Sequence, residues 1–322
     1  MWKPAARAAD PAIRLPASLR TRAGWSRFFD LRRTREPHLH QIEPTNHCVY
    51  SCVMCPRRTM TRPIGFMDMD VFTRVMDEVA GYAEPVRSRE IELFHFGESL
   101  FHPGLPRMIA MATERRLNTV LSVNGPQLTA PRAAAILDAV PTKVIISLDG
   151  GGQESYAAAR GQGADYGVAH HNIRHFIDER NRRRSATRIV LRMILMKQNE
   201  ALAPAFEEEW KRRGVDIELR EFFPWGQREF AALGDYRRYP AGMPCPFPWQ
   251  YLVVQWNGDV VPCCRDCNGV HVMGNVADMT LAEIWNGDRF EAFRDRHRTG
   301  NYGTGDICEE CMNLYWTAEE GG

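Results

Sequence analysis

Three cysteines stand close together near the start of the chain, at a spacing that suits an iron–sulfur cluster. Cys48, Cys52 and Cys55 form a C-x3-C-x2-C run directly after an apolar stretch. Three thiolates can hold three irons of a [4Fe–4S] cube and leave the fourth open, whereas iron–sulfur electron carriers normally supply four cysteines. An open iron can bind a substrate or cofactor, so the spacing indicates chemistry at the cluster. A zinc site, or three cysteines buried in the core, is the alternative interpretation.

A second group of cysteines lies in the last third of the chain. Four of them have the spacing C-x17-C-x44-C-x2-C and could bind all four irons of another cube: Cys245, Cys263, Cys308 and Cys311. Tetrahedral zinc is the physical alternative, since spacing alone does not separate zinc from iron–sulfur sites. Cys264 and Cys267 belong to neither set. We take both as candidate catalytic residues, as hydrogen-atom donors or substitute cluster ligands, with small buried apolar side chains as the alternative.

The composition is that of an ordinary globular protein with room for a full core. The 322 residues are 44% hydrophobic and 25% charged, with a formal net charge of +1, which argues against binding to nucleic acid or to a membrane surface. The Arg-rich N-terminal region lacks the apolar segment of a secretory signal, and no apolar run is long enough to span a membrane. Cysteines clustered at ligand spacings in a long chain indicate metal binding rather than disulfides. We therefore expect a reducing, cytoplasmic location.

The segments that must position these cysteines alternate between strand and helix patterns. Short apolar runs predict six strands, at residues 38–43, 90–95, 118–124, 143–148, 188–196 and 216–221. Amphipathic segments between them predict five helices, at residues 68–82, 105–116, 130–139, 164–182 and 203–213. The alternation indicates a parallel sheet with right-handed crossovers, either open or closed into a partial barrel. The first cysteine run follows the first strand, at the edge where active sites lie in barrels.

The C-terminal part reads as a small module after a linker at residues 222–250. Asn257-Gly258 between two apolar runs predicts a hairpin, and residues 280–296 predict one helix that begins with a capping box. Such a module is too small for much core of its own, so a metal cluster would supply stability. We divide the chain into a basic arm (1–37), a barrel (38–222), and a linker with the cluster module (223–322). The arm is interpreted as solvated with one helical turn near residues 25–31, or else as a contact for an anionic ligand or partner.

The two cysteine sets, in this order and spacing, resemble the radical S-adenosylmethionine (SAM) superfamily with a C-terminal SPASM/twitch domain. The resemblance covers about residues 38–316. It implies an α/β fold: a partial (β/α)6 TIM-like barrel followed by a small α+β iron–sulfur domain. It also implies SAM and two [4Fe–4S] clusters as cofactors, since no cysteine follows Cys311 to bind another. In that superfamily the open iron chelates SAM, and electron transfer cleaves SAM to a 5′-deoxyadenosyl radical.

The resemblance also assigns SAM contacts to the ends of the predicted strands. Gly97 and Glu98 follow the second strand in a segment similar to the GGEP motif, with Phe96 in place of the first glycine and Ser99 in place of the proline. The glutamate would bind the SAM amino group, and Arg160 would pair with the SAM carboxylate. Further candidate contacts follow the third and fourth strands or precede the third cysteine: Ser122, Asn124, Ser147, Asp149 and Met54.

The resemblance implies hydrogen abstraction from a substrate bound between the two clusters. The twitch form is similar to that of an aminocyclitol dehydrogenase, and the arm is short for the peptide-recognition domain of peptide maturases. We therefore expect a small molecule such as a sugar or aminocyclitol, with a one-electron reductant such as flavodoxin or ferredoxin as partner. Dehydrogenation with the auxiliary cluster as electron acceptor is the first hypothesis. The alternatives are redox-neutral epimerisation or decarboxylation with Cys264 or Cys267 as hydrogen donor, peptide modification, and a non-catalytic electron-transfer or zinc protein.

Overall fold

A nine-stranded sheet forms the centre of the computed structural model, which describes residues 21–236, 238–240 and 242–316. The strands are β1 (Leu39–Ile42), β2 (Ile91–Glu92), β3 (Thr119–Asn124), β4 (Lys143–Ser147), β5 (Arg188–Leu195), β6 (Asp216–Glu221), β7 (Leu252–Val254), β8 (Asp259–Val261) and β9 (Gly274–Asn275). Their order across the sheet is β6-β5-β4-β3-β2-β1-β7-β8-β9. The first six strands run parallel, which confirms the parallel sheet expected from the sequence.

The helices within the described residues connect these strands and extend the C-terminal part. They are α1 (Arg22–Arg32), α2 (Met69–Ala80), α3 (Leu105–Glu114), α4 (Ala130–Ala139), α5 (Gln153–Arg160), α6 (Tyr166–Arg182), α7 (Ala203–Lys211), α8 (Leu281–Asn286), α9 (Asp288–Thr299) and α10 (Ile307–Tyr315). All five predicted helices are present. The short helix α5 was not predicted. In the described part of the chain, no helix has the length and apolar content needed to cross a bilayer.

Within the described residues, helices cover one face of the parallel sheet and leave the other face free of them. Alternate strand residues such as Leu121, Ile146 and Leu191 pack with helix residues in one large core. The residues between them, Val120 and Ile145 among them, form a separate apolar cluster with Val190 of β5 and with Phe94 just after β2. A doubly wound sheet would carry helices on both faces, so this one-sided arrangement is that of a partial barrel with an inner face.

The C-terminal part continues the same sheet rather than forming a separate one. Strand β7 pairs in parallel with β1, and the predicted hairpin of β7 and β8 is present, with β9 added at its edge. The capping box of Thr280 and Glu283 is confirmed. The prediction of one helix at residues 280–296 is wrong, because Gly287 adopts an extended conformation that ends α8 and caps α9.

The N-terminal arm differs from a solvated segment over its described part. The expected helical turn is the longer helix α1, and Trp25 and Phe29 on it are buried in a second core with Trp249. The rings of Phe29 and Trp249 lie 5.7 Å apart. Residues 1–20 of the predicted arm lie outside the described residues, as do residues 317–322 of the predicted cluster module. The boundaries of the arm, barrel and module stay a prediction.

Candidate active site at the two cysteine sets

The first cysteine set lies in the loop between β1 and α2. Asn46 connects the beginning of this loop to its end. The Asn46 side chain accepts a hydrogen bond from the Gly65 amide at 2.9 Å and donates one to the Pro63 carbonyl at 2.9 Å. Within the loop, the Cys55 amide donates to the Cys52 carbonyl at 3.1 Å. These bonds are local, so the loop can fold directly from the strand that precedes it.

The thiols of this set lie close enough to influence one another. Burial raises the pKa of Cys55 to about 12 and that of Cys48 to about 11, and the neighbouring Cys52 adds to both shifts. Three thiolates together in a buried loop are therefore unfavourable without a cation. A metal ion removes this penalty by binding the deprotonated sulfurs, so the set suits a metal centre.

Glu98, one of the predicted SAM contacts, is held in place by several hydrogen bonds. Its carboxylate accepts from the Asn124 amide at 2.8 Å, from the Asn124 side chain at 2.7 Å, and from the Leu100 amide at 3.1 Å. Burial raises the pKa of Glu98 to about 7, against the effect of these three donors. The preceding Gly97 lies against the first loop, and a Cβ there would come within 2.0 Å of the Thr45 carbonyl oxygen. Glycine is thus required where the Glu98 segment crosses the cysteine loop.

Arg160 connects the SAM contacts to the first cysteine set. Its guanidinium forms a buried ion pair with Asp149 and donates to the Asn124 side-chain oxygen at 2.7 Å. It also donates to the Cys52 sulfur at 3.7 Å. Burial would lower the pKa of Arg160, but the negative charge of Asp149 outweighs this effect and raises the pKa above its ordinary value. The guanidinium therefore stays cationic. The structure therefore brings Cys52, Glu98, Asn124, Asp149 and Arg160 together at one edge of the sheet, as the resemblance implied.

The remaining predicted SAM contacts take supporting positions. Ser147 is the β4 partner of Asn124 in the sheet, and Ser122 lies two residues earlier on the same face of β3. Met54 is buried with Ala159 in a small apolar cluster. Each of these side chains borders the site, while their contacts with SAM stay a prediction.

The second cysteine set lines one cavity, part of which is open to solvent. All four predicted ligands border it: Cys245, Cys263, Cys308 and Cys311. Burial raises the pKa of Cys245 to about 12, with a further contribution from Cys311. Strand β8 leads into Cys263, and helix α10 carries Cys308 and Cys311 one turn apart. A buried all-thiol site of this kind again favours a bound metal.

The spacing of the sulfur atoms favours a cluster over a single zinc ion. Zinc holds its four thiolates at about 2.3 Å, which places the sulfurs about 3.8 Å apart. No three cysteine sulfurs within the described residues lie within 4.8 Å of one another. A cube separates its ligand sulfurs further because each one binds a different iron. Both cysteine sets therefore fit [4Fe–4S] clusters better than tetrahedral zinc.

The two extra cysteines occupy different surroundings. Cys264 packs beside Tyr251, whose hydroxyl lies 3.4 Å from the Cys264 sulfur. The backbone carbonyl of Cys264 lies 2.9 Å from the Nε2 of His95. Cys267 is buried at the wall of the auxiliary cavity, and burial raises the pKa of its thiol to about 11. The catalytic role of these two residues stays a prediction.

Three residues of the site were missed by reasoning from the sequence. Arg265 reaches into the second cysteine set, and its only sequence signal is its place directly after a pair of cysteines. Trp225 lines the auxiliary cavity while its indole donates to the Met54 carbonyl at 2.9 Å. Glu43 is a fully buried acid at the end of β1. The sequence signal that could have indicated it is an acidic residue at the end of an apolar run.

Two family models match the chain. The radical SAM superfamily matches residues 42–201, and an iron–sulfur cluster-binding domain, SPASM, matches residues 245–312. The chain belongs to the radical SAM superfamily. The first match includes the whole C-x3-C-x2-C loop, and the second begins at Cys245 and includes Cys311. A radical SAM domain implies SAM and a [4Fe–4S] cluster, and a SPASM domain implies additional iron–sulfur binding, in agreement with both thiol sets.

Characterised proteins are similar over most of this radical SAM enzyme. The S-adenosyl-L-methionine-dependent 2-deoxy-scyllo-inosamine dehydrogenase of Niallia circulans is 23% identical over 285 residues, which cover 87% of this chain and 94% of that protein. The tungsten-containing aldehyde ferredoxin oxidoreductase cofactor-modifying protein of Pyrococcus furiosus is 22% identical over 298 residues, covering 79% and 82%.

Solved structures confirm the fold. BtrN in complex with AdoMet and 2-DOIA superposes with a TM-score of 0.55 at 21% identity, over 84% of this chain and 91% of that one. Streptococcus suis SuiB bound to its precursor peptide SuiA superposes with a TM-score of 0.65 at 11% identity, over 84% and 69%. The expected α/β radical SAM fold with a C-terminal SPASM-type domain is therefore confirmed.

Proposed function

We propose that this radical SAM enzyme dehydrogenates a small polar molecule, such as a sugar or an aminocyclitol. The observation that carries the proposal is Trp225, which contacts both cysteine sites. Its indole donates to the carbonyl of Met54, next to Cys55, and its ring borders the cavity of the second set. A dehydrogenase of this class needs an electron acceptor close to the place where the radical forms, and this contact puts the two sites side by side.

The chemistry divides between the cofactors and the chain. When bound, SAM and the first cluster supply a 5′-deoxyadenosyl radical, and the second cluster supplies an electron acceptor. Glu98 and Arg160 are assigned to the amino and carboxylate groups of SAM, because they lie together beside Cys52. The substrate loses a hydrogen atom from carbon, then one electron and one proton, so that an alcohol becomes a ketone.

The inner face of the barrel supports a polar substrate. Glu92 accepts from the Gln41 side chain at 2.7 Å and lies 3.7 Å from the Nε2 of His40. On the same face, Arg192 forms an ion pair with Glu218 at 2.8 Å. Carboxylates, an imidazole and a guanidinium in one lumen suit hydroxyl and amino groups, which polyols and amino sugars carry. The similarity over 94% of the Niallia circulans dehydrogenase points to the same substrate class.

A redox-neutral epimerisation is the second candidate, and one contact favours it. The Cys264 sulfur lies 3.4 Å from the Tyr251 hydroxyl, and the Tyr251 ring lies 4.5 Å from that of His40 on the inner face. A thiol at this border could return a hydrogen atom to the opposite side of a substrate radical. Decarboxylation and peptide modification are further outcomes, and SuiB bound to its precursor peptide represents the latter class among similar folds.

Product analysis by mass separates these reactions. The anaerobically reconstituted protein would be incubated with SAM, dithionite and 2-deoxy-scyllo-inosamine, followed by a panel of amino sugars, in deuterated water. Formation of 5′-deoxyadenosine with a product two hydrogens lighter supports dehydrogenation. A product of unchanged hydrogen count with one carbon-bound deuterium would establish the epimerase instead. Absence of SAM cleavage under all these conditions would contradict the whole assignment.

A further inference from the structure

Arg265 places a buried positive charge against the auxiliary cysteine set. Only 7% of this residue is exposed. Its guanidinium lies over the rings of Tyr315 at 4.1 Å, Phe223 at 4.2 Å and Phe247 at 5.2 Å. Three aromatic rings hold the group in place by cation–π contact while excluding water from it. The three rings therefore fix the position of the guanidinium in the folded protein.

The polar partners of Arg265 are sulfur atoms. The Nη1 atom donates to the Cys311 sulfur, and the Arg265 backbone amide donates to the Cys263 sulfur at 3.3 Å. Within the described residues, its Nε and Nη2 atoms are buried without a hydrogen-bond partner, and no carboxylate forms a salt bridge with it.

A second buried arginine in the same part of the chain shows what Arg265 lacks. Arg294 is also stacked on two rings, Trp285 and Phe290, at 4.4 and 4.5 Å. Its guanidinium, however, donates to the carbonyls of Pro248 and Trp285 and pairs with a carboxylate. A buried cation normally has such partners because burying an unpaired charge is costly. Arg265 faces thiols instead, so its countercharge must come from what those thiols bind.

We propose that Arg265 is the fixed counter-cation of the auxiliary [4Fe–4S] site and raises the reduction potential of that site. Four thiolates give the cluster a net negative charge, which reduction increases by one electron. A fixed positive charge and N–H···S hydrogen bonds stabilise the reduced form more than the oxidised form, and both raise reduction potentials. This inference deepens the proposed function, on which it rests, because a higher potential makes the site a better acceptor for the electron of a substrate radical.

Potentiometric titration of the second cluster, followed by electron paramagnetic resonance, tests the inference. Arg265→Gln should lower the midpoint potential by at least the equivalent of a tenfold change in the reduction constant, about 59 mV for one electron. Arg265→Lys, which keeps the charge, should lower it less. The matched control is Arg298→Gln, which removes a charge paired with Asp30 and Glu291 in the same part of the fold. The potential of the first cluster should stay unchanged in all three variants.

A measurement on the unaltered protein covers the case in which Arg265→Gln loses its cluster. In protein labelled with 15N-arginine, hyperfine spectroscopy of the reduced auxiliary cluster should detect a weak nitrogen coupling. That coupling should be absent from Arg265→Lys labelled in the same way. Absence of the coupling in the unaltered protein, or an unchanged midpoint potential in Arg265→Gln, overturns the role of Arg265. A shifted potential in a protein that never yields dehydrogenated product supports the role of Arg265 and overturns the proposed function. A second cysteine set that binds no iron overturns the role of Arg265 and the proposed function together.

Discussion

Arg62 donates hydrogen bonds to both carboxylate oxygens of Glu43, at 2.9 and 3.0 Å, in a place where the carboxylate has no exposed surface. Burial would raise the pKa of Glu43, but His95 and Arg62 beside it lower that pKa to about 2. The Nε of Arg62 donates to the Cys267 carbonyl at 2.6 Å. One side chain thus joins the end of β1, the loop of the first cysteine set, and the segment between Cys263 and Cys308 of the second set.

We expect Arg62→Met to destabilise the cluster-loaded protein by about 3–5 kcal/mol, because it removes two charge-assisted hydrogen bonds from the buried Glu43 carboxylate. Urea unfolding under anaerobic conditions would measure the loss. The double variant Glu43→Gln/Arg62→Met should be less destabilised than Arg62→Met alone, since the buried charge is gone. Arg107→Ala is the control: its pair with Glu114 is exposed, at 63% and 58%, and should contribute less than about 1 kcal/mol. Equal losses in Arg62→Met and the double variant would refute the argument.

Replacing Cys48, Cys52 and Cys55 together by alanine should remove about half of the bound iron and abolish SAM cleavage. The physical reason is that the second set of thiols is separate and keeps its own cluster. Iron analysis and detection of 5′-deoxyadenosine after anaerobic reconstitution would measure both effects. Full iron content with normal cleavage would show that the first set is not the SAM-binding cluster site.

Glu98 should give SAM binding a pH dependence. The ionised carboxylate forms a charge-assisted hydrogen bond with the SAM amino group, which the protonated acid and Gln cannot form, and burial raises the pKa of Glu98 from 4.5 to about 7. Below that pH, Glu98 of the free protein must lose a proton when SAM binds. The ratio of the SAM affinity of the native protein to that of Glu98→Gln should therefore fall up to tenfold for each unit by which the pH is lowered. Above pH 7 the advantage should be constant. Calorimetry between pH 5.5 and about 7.5, below the ordinary titration of an α-amino group, would measure it; a constant ratio throughout would remove Glu98 from the SAM site.

The close approach at Gly97 should make this position intolerant of any side chain. A Cβ there would lie 2.0 Å from the Thr45 carbonyl oxygen, and backbone atoms cannot move aside cheaply. We expect Gly97→Ala to weaken SAM binding at least tenfold, because it displaces Glu98 from the cysteine loop. Gly152→Ala is the matched control, since no atom lies within 4 Å of a Cβ at that position. Similar SAM affinity in the two variants, measured by calorimetry, would show that the approach at Gly97 is unimportant.

Cys264→Ala and Cys267→Ala should both retain turnover if the reaction is a dehydrogenation. That reaction needs no hydrogen donor, because the substrate ends with two hydrogens fewer. The assay compares 5′-deoxyadenosine with product for each variant, using the unaltered protein as reference. A variant that still cleaves SAM but makes no product would identify the thiol that returns a hydrogen atom, and the epimerase proposal would replace the dehydrogenase.

Local sequence patterns predicted most of the helices and strands of the fold, while the cluster ligands that they indicate stay a prediction. The strand at residues 216–221 and the helix at residues 130–139 were predicted to the residue, because their apolar periodicity is uninterrupted. The break at Gly287 was not predicted, because the capping box of Thr280 and Glu283 indicates where a helix begins and a single glycine does not by itself end a helix. Arg265 and Trp225 could not have been found in this way, since each acts through residues distant in sequence that only the fold brings near.

The parallel pairing of β1 with β7 has a consequence for synthesis on the ribosome. Leu39 and Ile42 pair with Leu252 and Val254, so one edge of β1 has no partner until β7, about 210 residues later, has been made. At about 5–20 residues per second, that edge waits roughly 10–40 s after it emerges. An open strand edge of this kind is a template for wrong pairing with other chains. The nascent protein therefore depends on the synthesis of β7, or on a chaperone that covers the edge first, to escape aggregation.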